Sequence, residues 1–461
     1  MTMSASKDTT SLTLSRLGNT KSPNVWSDFG LLAILISIAY SMVLALTLES
    51  LTLYWILVAG LIATSFFLSS TSVLVMALSI WAFLPTEYIS LNPFQNFLNP
   101  ASLLLLVLLV KTNAKVKGKS LAVFFLFFGY LMVATLYSID PVRSAAWSFQ
   151  VTLLLYVAFS SYEIVKSINP ETVLKALAIV CSFLFIVAVL EYLRSKSLIY
   201  NGSFFPDYYE SWKWEYFSVF RIRTTLGHPL NNGLFFAVAA LIFLRSGVVK
   251  GSSRIFVVLV LICAVAVFLS ASRSALATLA GSAILLFLFD WRKVAFQVKL
   301  WLVLLTPTVF TIFAQSTFFT RIFSRNGSNE GVESSLYRSD LLQWSRYFTQ
   351  DYFFQGVGPG ASDKIWPTFG SNNPLENGFF QLWVSLGLIP TVVCLCFVTA
   401  LLVRQLKTNL TSLLCLMPAI AYLPLTNFMD SCSSFMSFIS LFIVISLFPQ
   451  VGSQNDFGEK S

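Results

Sequence analysis

Apolar runs follow one another along almost the whole chain, each broken by a few charged, polar, proline or glycine positions. They cover 28–48, 52–70, 72–86, 98–110, 121–138, 148–165, 171–192, 229–246, 255–271, 274–290, 297–314, 379–403, 409–426 and 433–449. An α-helix needs about 20 apolar residues to cross a hydrocarbon core of about 30 Å, and most of these runs reach that scale. None alternates apolar and polar positions as a barrel strand would, and in lipid only a helix satisfies its backbone within the segment. The third and fourth runs are short and bounded by Pro85 and Pro100, so each also reads as half of a broken helix. The expected fold is all-α and integral to a membrane: a bundle of about 12–14 transmembrane helices with one large external loop. No fixed-period repeat and no separate soluble domain is evident.

Composition agrees with that pattern. The chain is 56% hydrophobic and 11% charged, with mean hydropathy +0.76, against about 25% charged residues in a soluble domain. With residues 1–26 placed inside, 18 of the 30 Lys and Arg fall on inside segments, among them Lys111, Lys115, Arg245, Lys250 and Arg254. Basic residues are retained on the cytoplasmic side, so this asymmetry orients the bundle. The net charge of +9 therefore reflects topology. No basic cluster interleaves with exposed aromatics, so nucleic acid is not an expected partner. Residues 1–26 lack an apolar core segment, so no cleaved signal peptide is expected. All six cysteines lie in or beside apolar runs and the single histidine is His228. Neither a disulfide framework nor a metal site is expected, and no cofactor is implied.

Three outside-facing features carry candidate chemistry. The loop 201–233 is crowded with Tyr, Trp and Phe and ends in Arg221, Arg223 and His228. Aromatics are common at a membrane interface, but paired arginines are less readily explained that way. The tight connection LSASRSALATLAG (269–281) sets Arg273 among small residues, which points to close approach of something to that backbone. A charge at that depth is usually paired or functional, the alternative being an arginine that snorkels to the interface. The polar interval 315–374 holds SSLYRSDLLQWSRY (334–347) and QGVGPG (355–360), and PLENGFFQLWVSLGLIP (374–390) re-enters the membrane. Residues 335–347 read as an amphipathic helix with Arg338 and Arg346 on its polar side. Arginine suits a phosphate because its planar fork donates two hydrogen bonds and keeps its charge. The glycine turn reads either as a packing element or as a cradle of backbone N–H groups for an anion. Glu376 stands at the re-entry point, as a helix-start carboxylate or as a general base. Asn377 and Gln381, one turn apart, are candidates for binding sugar hydroxyls.

Taken in this order and spacing, the motifs over about 221–403 resemble the O-antigen ligase and Wzy-type polymerase superfamily. That family shows an SRG/SRS arginine between two spans, an external loop with arginine, tryptophan and GVGPG, and a closing HNxYLQxxxELGLIG. Here LSASRS, YRSDLLQWSRYFTQDYFFQGVGPG and LENGFFQLWVSLGLIP stand in those places. The resemblance implies an inverting, metal-independent glycosyltransferase of a bacterial inner membrane, multi-pass, with its active site facing the periplasm. Its donor would be a glycan on undecaprenyl diphosphate, its acceptor a glycan or lipid core, with membrane lipid around the donor tail. Polysaccharide export or chain-length proteins are further partners of that setting. Arg273 and Arg338 would hold the donor diphosphate. Arg221, Arg223, His228, Arg346, Asn377 and Gln381 would bind substrate, and Glu376 would take the acceptor proton.

Two departures qualify the match. Glu376 stands where ligases of the family carry a histidine, and Trp344 lies two positions beyond the usual loop tryptophan. The carboxylate favours a polymerase of exopolysaccharide, capsule or O-antigen repeat units over a ligase that transfers a glycan to lipid A-core or protein. A transporter or flippase is the competing class, and a scaffold subunit of an export complex a third. Against transport stand the lack of inverted-repeat symmetry and the scarcity of ionisable residues within spans, Glu191 being the nearest exception. The expected organisation is a cytoplasmic tail (1–26), a helix bundle (27–314), a periplasmic loop (315–376), C-terminal helices (377–450) and a cytoplasmic tail (451–461).

Overall fold

The computed structural model describes residues 51–84, 99–116, 119–199, 220–250, 254–290, 353–365, 377–422 and 433–448, together with Ser41. Among these, regular structure is helical throughout, with no strand. The helices are α1 (Leu51–Ser65), α2 (Ser70–Phe83), α3 (Pro100–Thr112), α4 (Lys119–Leu136), α5 (Pro141–Lys166) and α6 (Pro170–Arg194). They continue as α7 (Pro229–Lys250), α8 (Arg254–Leu269), α9 (Arg273–Asp290), α10 (Gly378–Leu386), α11 (Leu388–Tyr422) and α12 (Ser433–Ile445). Three are long and apolar enough to cross a membrane by length and composition: Pro141–Lys166, Pro170–Arg194 and Pro229–Gly247. The runs at 28–48 and 297–314 lie outside the described residues, Ser41 apart.

Helix starts follow a common device, a capping side chain followed by proline at the first helical position. Asn99 accepts from Ala101 N–H before Pro100, Asp140 from Arg143 N–H before Pro141, and Asn169 from Glu171 N–H before Pro170. The cap satisfies an orphan N–H, and proline has none to leave unsatisfied. This pairing moves the start of α5 to Pro141, ahead of the apolar run expected from 148. The larger departure is at the C-terminal end. The run expected over 379–403 is split at Gly387, whose φ of 82° stops α10. The inside connection expected near 404–408 is instead helical, within α11. Lys and Arg positions in that stretch suggested a loop, yet neither residue breaks a helix.

At the centre stands α7, packed against α8, α9 and α11. Its residues 232–243 are buried all round, and Phe235 meets Trp81 of α2 and Phe442 of α12. By contrast α4, α8 and α9 keep Leu126, Leu136, Ile255, Leu261 and Leu288 exposed, the outward faces a lipid environment would cover. Inside the bundle Ser102 of α3 donates to Gln150 of α5 at 2.7 Å and contacts Ser437 of α12 at 2.6 Å. Such side-chain hydrogen bonds join helices where packing alone discriminates weakly.

Hydrogen bonds also sort the connections to two ends. At one, Lys111 Nζ donates to Phe66 O, Tyr156 hydroxyl to Ala114 O, and Asn169 N–H to Thr71 Oγ1. At the other, Thr225 hydroxyl donates to Ala82 O and Arg221 Nε to Ser270 O. Helix directions place residues 137–140 and 353–365 at this second end as well, since Ile139 N–H donates to Val357 O. Arg221, Arg223 and Arg273 therefore lie opposite Lys111 and residues 113–116.

Candidate active site

Two helix N-termini meet at the second end. Gly233, in the first turns of α7, faces Ser270, Ser272 and Ala275 so closely that an added Cβ would lie 2.8 Å from Ala275 Cβ and 2.9 Å from Ser270 Oγ. The small residues around Arg273 are thus explained by a neighbouring helix; they let α9 begin against α7. Ala271 turns the chain at φ 51°, and Ser272 Oγ accepts the Ala275 N–H at the start of α9. Arg273 occupies the first helical position, exposed. Helix N-termini carry partial positive charge and unsatisfied N–H groups, so a pair of them favours an anion.

The segment before α7 brings two more guanidiniums to this place. Arg221 is tied through Nε to Ser270 O at 3.2 Å, three positions before Arg273. Arg223 is 4% exposed. Its backbone and that of Thr224, which has φ 47°, are fixed by the Glu191 carboxylate of α6. Asn232 Nδ2 donates to Arg223 O and to His228 O, and its Oδ1 accepts from Thr224 hydroxyl at 2.6 Å. Every one of these bonds holds main chain or a side chain of the arginine-bearing segment.

His228 takes the capping position that Asn and Asp take elsewhere: its Nδ1 accepts the Leu230 N–H at 3.2 Å, ahead of Pro229. That bond assigns the ring proton to Nε2. Burial, then the charges of Arg221 and Arg223, push the imidazole down to about 3 from its ordinary 6.5, although the residue as a whole is only half-buried. At neutral pH His228 is consequently an uncharged donor and not a cation.

The glycine turn resolves as a packing joint. Val357 and Gly358 N–H groups donate to Val384 O and Ser385 O at 2.9 and 3.0 Å, Gly387 N–H to Trp383 O, and Tyr130 hydroxyl to Leu386 O. The last four carbonyls of α10, orphans in an isolated helix, each gain a donor. Those two turn amides are accordingly engaged within the protein, which favours the packing reading over an anion cradle. Gly356, Gly358 and Gly360 all have positive φ, and a Cβ on Gly358 would lie 2.0 Å from Ser138 Oγ. Nearby Lys364 and Asp140 approach to 3.7 Å.

Asn377 caps α10, its Oδ1 accepting from Phe379 and Phe380 N–H. Gln381 is 1% exposed, on a helix whose Leu382 and Leu386 pack among Trp147, Val151 and Met436. The structure therefore gathers Arg221, Arg223, His228 and Arg273 at α7 and α9, while Asn377 and Gln381 belong to α10. Glu376, Arg338 and Arg346 lie outside the described residues. Among the described residues no group of three or more His, Cys, Asp or Glu is placed to hold a metal.

A family model described as O-antigen ligase matches residues 258–396. Over that segment the chain is similar to the O-antigen ligase family. The segment takes in α8, α9 with Arg273, the glycine turn and α10, and it supports a membrane enzyme of the ligase or polymerase type acting on a lipid-linked glycan and an acceptor. Arg221, Arg223 and His228 precede the matched segment, but their contact with Ser270 joins them to it. None of the curated proteins compared matches the chain significantly. The residues that sequence reading passed over as site components are Glu191, Thr224 and Asn232. Glu191 alone carried a signal, a carboxylate at the end of an apolar run.

Proposed function

We propose that the protein polymerises undecaprenyl-diphosphate-linked oligosaccharide repeat units at the periplasmic face of a bacterial inner membrane. The observation that carries this reading is the gathering of Arg221, Arg223 and Arg273 around the adjoining N-termini of α7 and α9. The acceptor hydroxyl oxygen attacks the anomeric carbon from the face opposite the diphosphate. The bond from that carbon to the diphosphate oxygen breaks, and the diphosphate leaves with the electron pair. Fixed cations aimed at the leaving group stabilise the charge it gains in the transition state. Arg273 and Arg338 clamp it, Arg221, Arg223 and Arg346 add positive potential, and Glu376 accepts the hydroxyl proton. His228, neutral, offers a hydrogen bond, and Asn377 and Gln381 contribute on the glycan side. No metal enters this scheme. The setting is a bundle of 12–14 spans with residues 315–376 as the periplasmic loop between the helices 27–314 and 377–450, both tails being cytoplasmic.

The deciding experiment follows transfer from a lipid-linked oligosaccharide by purified protein, with product resolved on a gel. Arg273→Lys is expected to lose most activity, because lysine keeps charge but not the bidentate fork. Glu376→Gln is expected to lose about 10²–10⁴-fold, the usual contribution of a general base. Wild-type product from both variants would overturn the mechanism, as would loss with chelator and recovery with magnesium or manganese. Reporter fusions at Gly327 and Lys115 are expected on opposite sides of the membrane. A second reading, transfer of a finished glycan to lipid A-core or protein, is favoured by the description of the matched family. Product length separates the two: a ladder marks a polymerase, a single addition a ligase.

A further inference from the structure

Glu191 is fully buried near the C-terminus of α6, and it is surrounded by donors. Oε1 accepts Ser197 hydroxyl at 2.9 Å and Leu198 N–H at 3.0 Å; Oε2 accepts Arg223 N–H at 2.8 Å and Thr224 N–H at 2.9 Å. Two successive backbone N–H groups converging on one oxygen is the geometry of an anion nest. Here the anion is supplied by the protein itself. A buried carboxylate is costly unless its acceptor positions are filled, and buried N–H groups at 223 and 224 need acceptors equally. Each requirement is met by the other.

We propose that Glu191 is the positioning residue of the donor-anion site, acting through the backbone that carries Arg221 and Arg223. This rests on the function proposed above. The carboxylate ties three pieces of chain together: the end of α6, the turn at 197–198, and the segment entering α7. Residue 223 is thereby set in place, and Asn232 closes the segment onto α7 from its other side. Arg221 then reaches Ser270 and the start of α9. A carboxylate is required because both of its oxygens accept twice; an amide presents one acceptor and one donor, so one pair of N–H or O–H groups faces a donor instead.

Full-length protein in nanodiscs carrying Glu191→Gln tests this by two separate readouts. Amide exchange at 220–226 is expected to quicken about tenfold or more, with α7 and α8 still protected, because local opening exposes only the amides it frees. Transfer is expected to fall by a similar factor, with KM for the lipid-linked donor rising more than kcat falls. Glu191→Gln added to the double variant Arg221→Ala/Arg223→Ala is expected to lower transfer no further than the double variant alone, since residues acting in series are not additive. Glu191→Asp, which keeps the charge on a shorter stem, is expected to sit between wild type and Glu191→Gln in exchange, and serves if the amide variant does not fold. Unchanged exchange at 220–226 in both variants would overturn the positioning role. Quickened exchange with unchanged donor KM and kcat would leave the latch standing and overturn the donor-binding role of the segment it holds.

Discussion

Two joints at the same end of the bundle, the arginine segment before α7 and the glycine turn before α10, solve the problem of irregular backbone in opposite ways. The turn uses glycine to bring backbone onto backbone: Val357 and Gly358 give their N–H groups to Val384 and Ser385, and Phe354 O lies where Gly387 would carry a Cβ. The arginine segment uses side chains, with Glu191 and Asn232 serving the backbone of residues 223, 224 and 228. In the first joint the motif is consumed by packing. In the second the backbone is satisfied by side chains from neighbouring helices. The glycine-rich motif therefore marks a joint between elements here.

The comparison breaks most visibly at the turn. Gly358→Ala places a methyl 2.0 Å from Ser138 Oγ at φ 118°, and it is expected to cost at least about 2 kcal/mol through strain and overpacking. The yield of folded protein and its thermal midpoint in detergent measure this, and full tolerance would show that the turn is not a joint. A smaller loss is expected from Gly233→Ala, where the new Cβ meets Ala275 and Ser270 at 2.8 and 2.9 Å. Because those contacts set α9 against α7, transfer activity should fall alongside a cost of about 1–3 kcal/mol. Activity that survives while stability drops would separate the helix contact from the arginine site.

The smallest effect is expected from His228→Asn. Asparagine caps as well as histidine and already precedes proline at Asn99 and Asn169, so transfer should stay within about threefold of wild type. Transfer wholly unchanged in a well-folded His228→Asn would limit the ring to capping and overturn its hydrogen bond to substrate, whereas loss well beyond threefold would make it a principal substrate group. The pH dependence sharpens the point. The native imidazole titrates near 3 and the unfolded one near 6.5, so below 6.5 the unfolded chain binds the proton first. The stability contributed by His228 is thus complete above pH 6.5 and is lost as pH falls towards 3. Thermal midpoints measured from pH 7.5 to 4.5 should decline less steeply in His228→Asn. Between pH 6 and 8 the rate profile should show no inflection from this residue.

Much of the helix framework was legible in hydropathy, since lipid demands long apolar helices and prolines mark their starts. Errors fell where a helix runs through charge, as at 404–408, and where a cap extends it, as at Asp140. Arg221, Arg223 and Arg273 were legible as candidates because charge set against apolar runs is usually paired or functional. The meaning of the small residues near Arg273 was only half legible: close approach was expected, but not that Gly233 makes it.

What the sequence determined by itself is therefore the class of the protein, the course of most helices, and which arginines stand as candidates for an anion site. All of these follow from local quantities: apolar length, cap and proline order, and charge placed next to lipid. What only the tertiary structure decided is which of those residues meet and what holds them. Glu191 and Arg223 are 32 positions apart and Arg221 and Ser270 are 49 apart. No local pattern encodes such pairings, because they form only when separate helices pack and shut their backbone polar groups away from water, leaving each donor to find its acceptor within the protein.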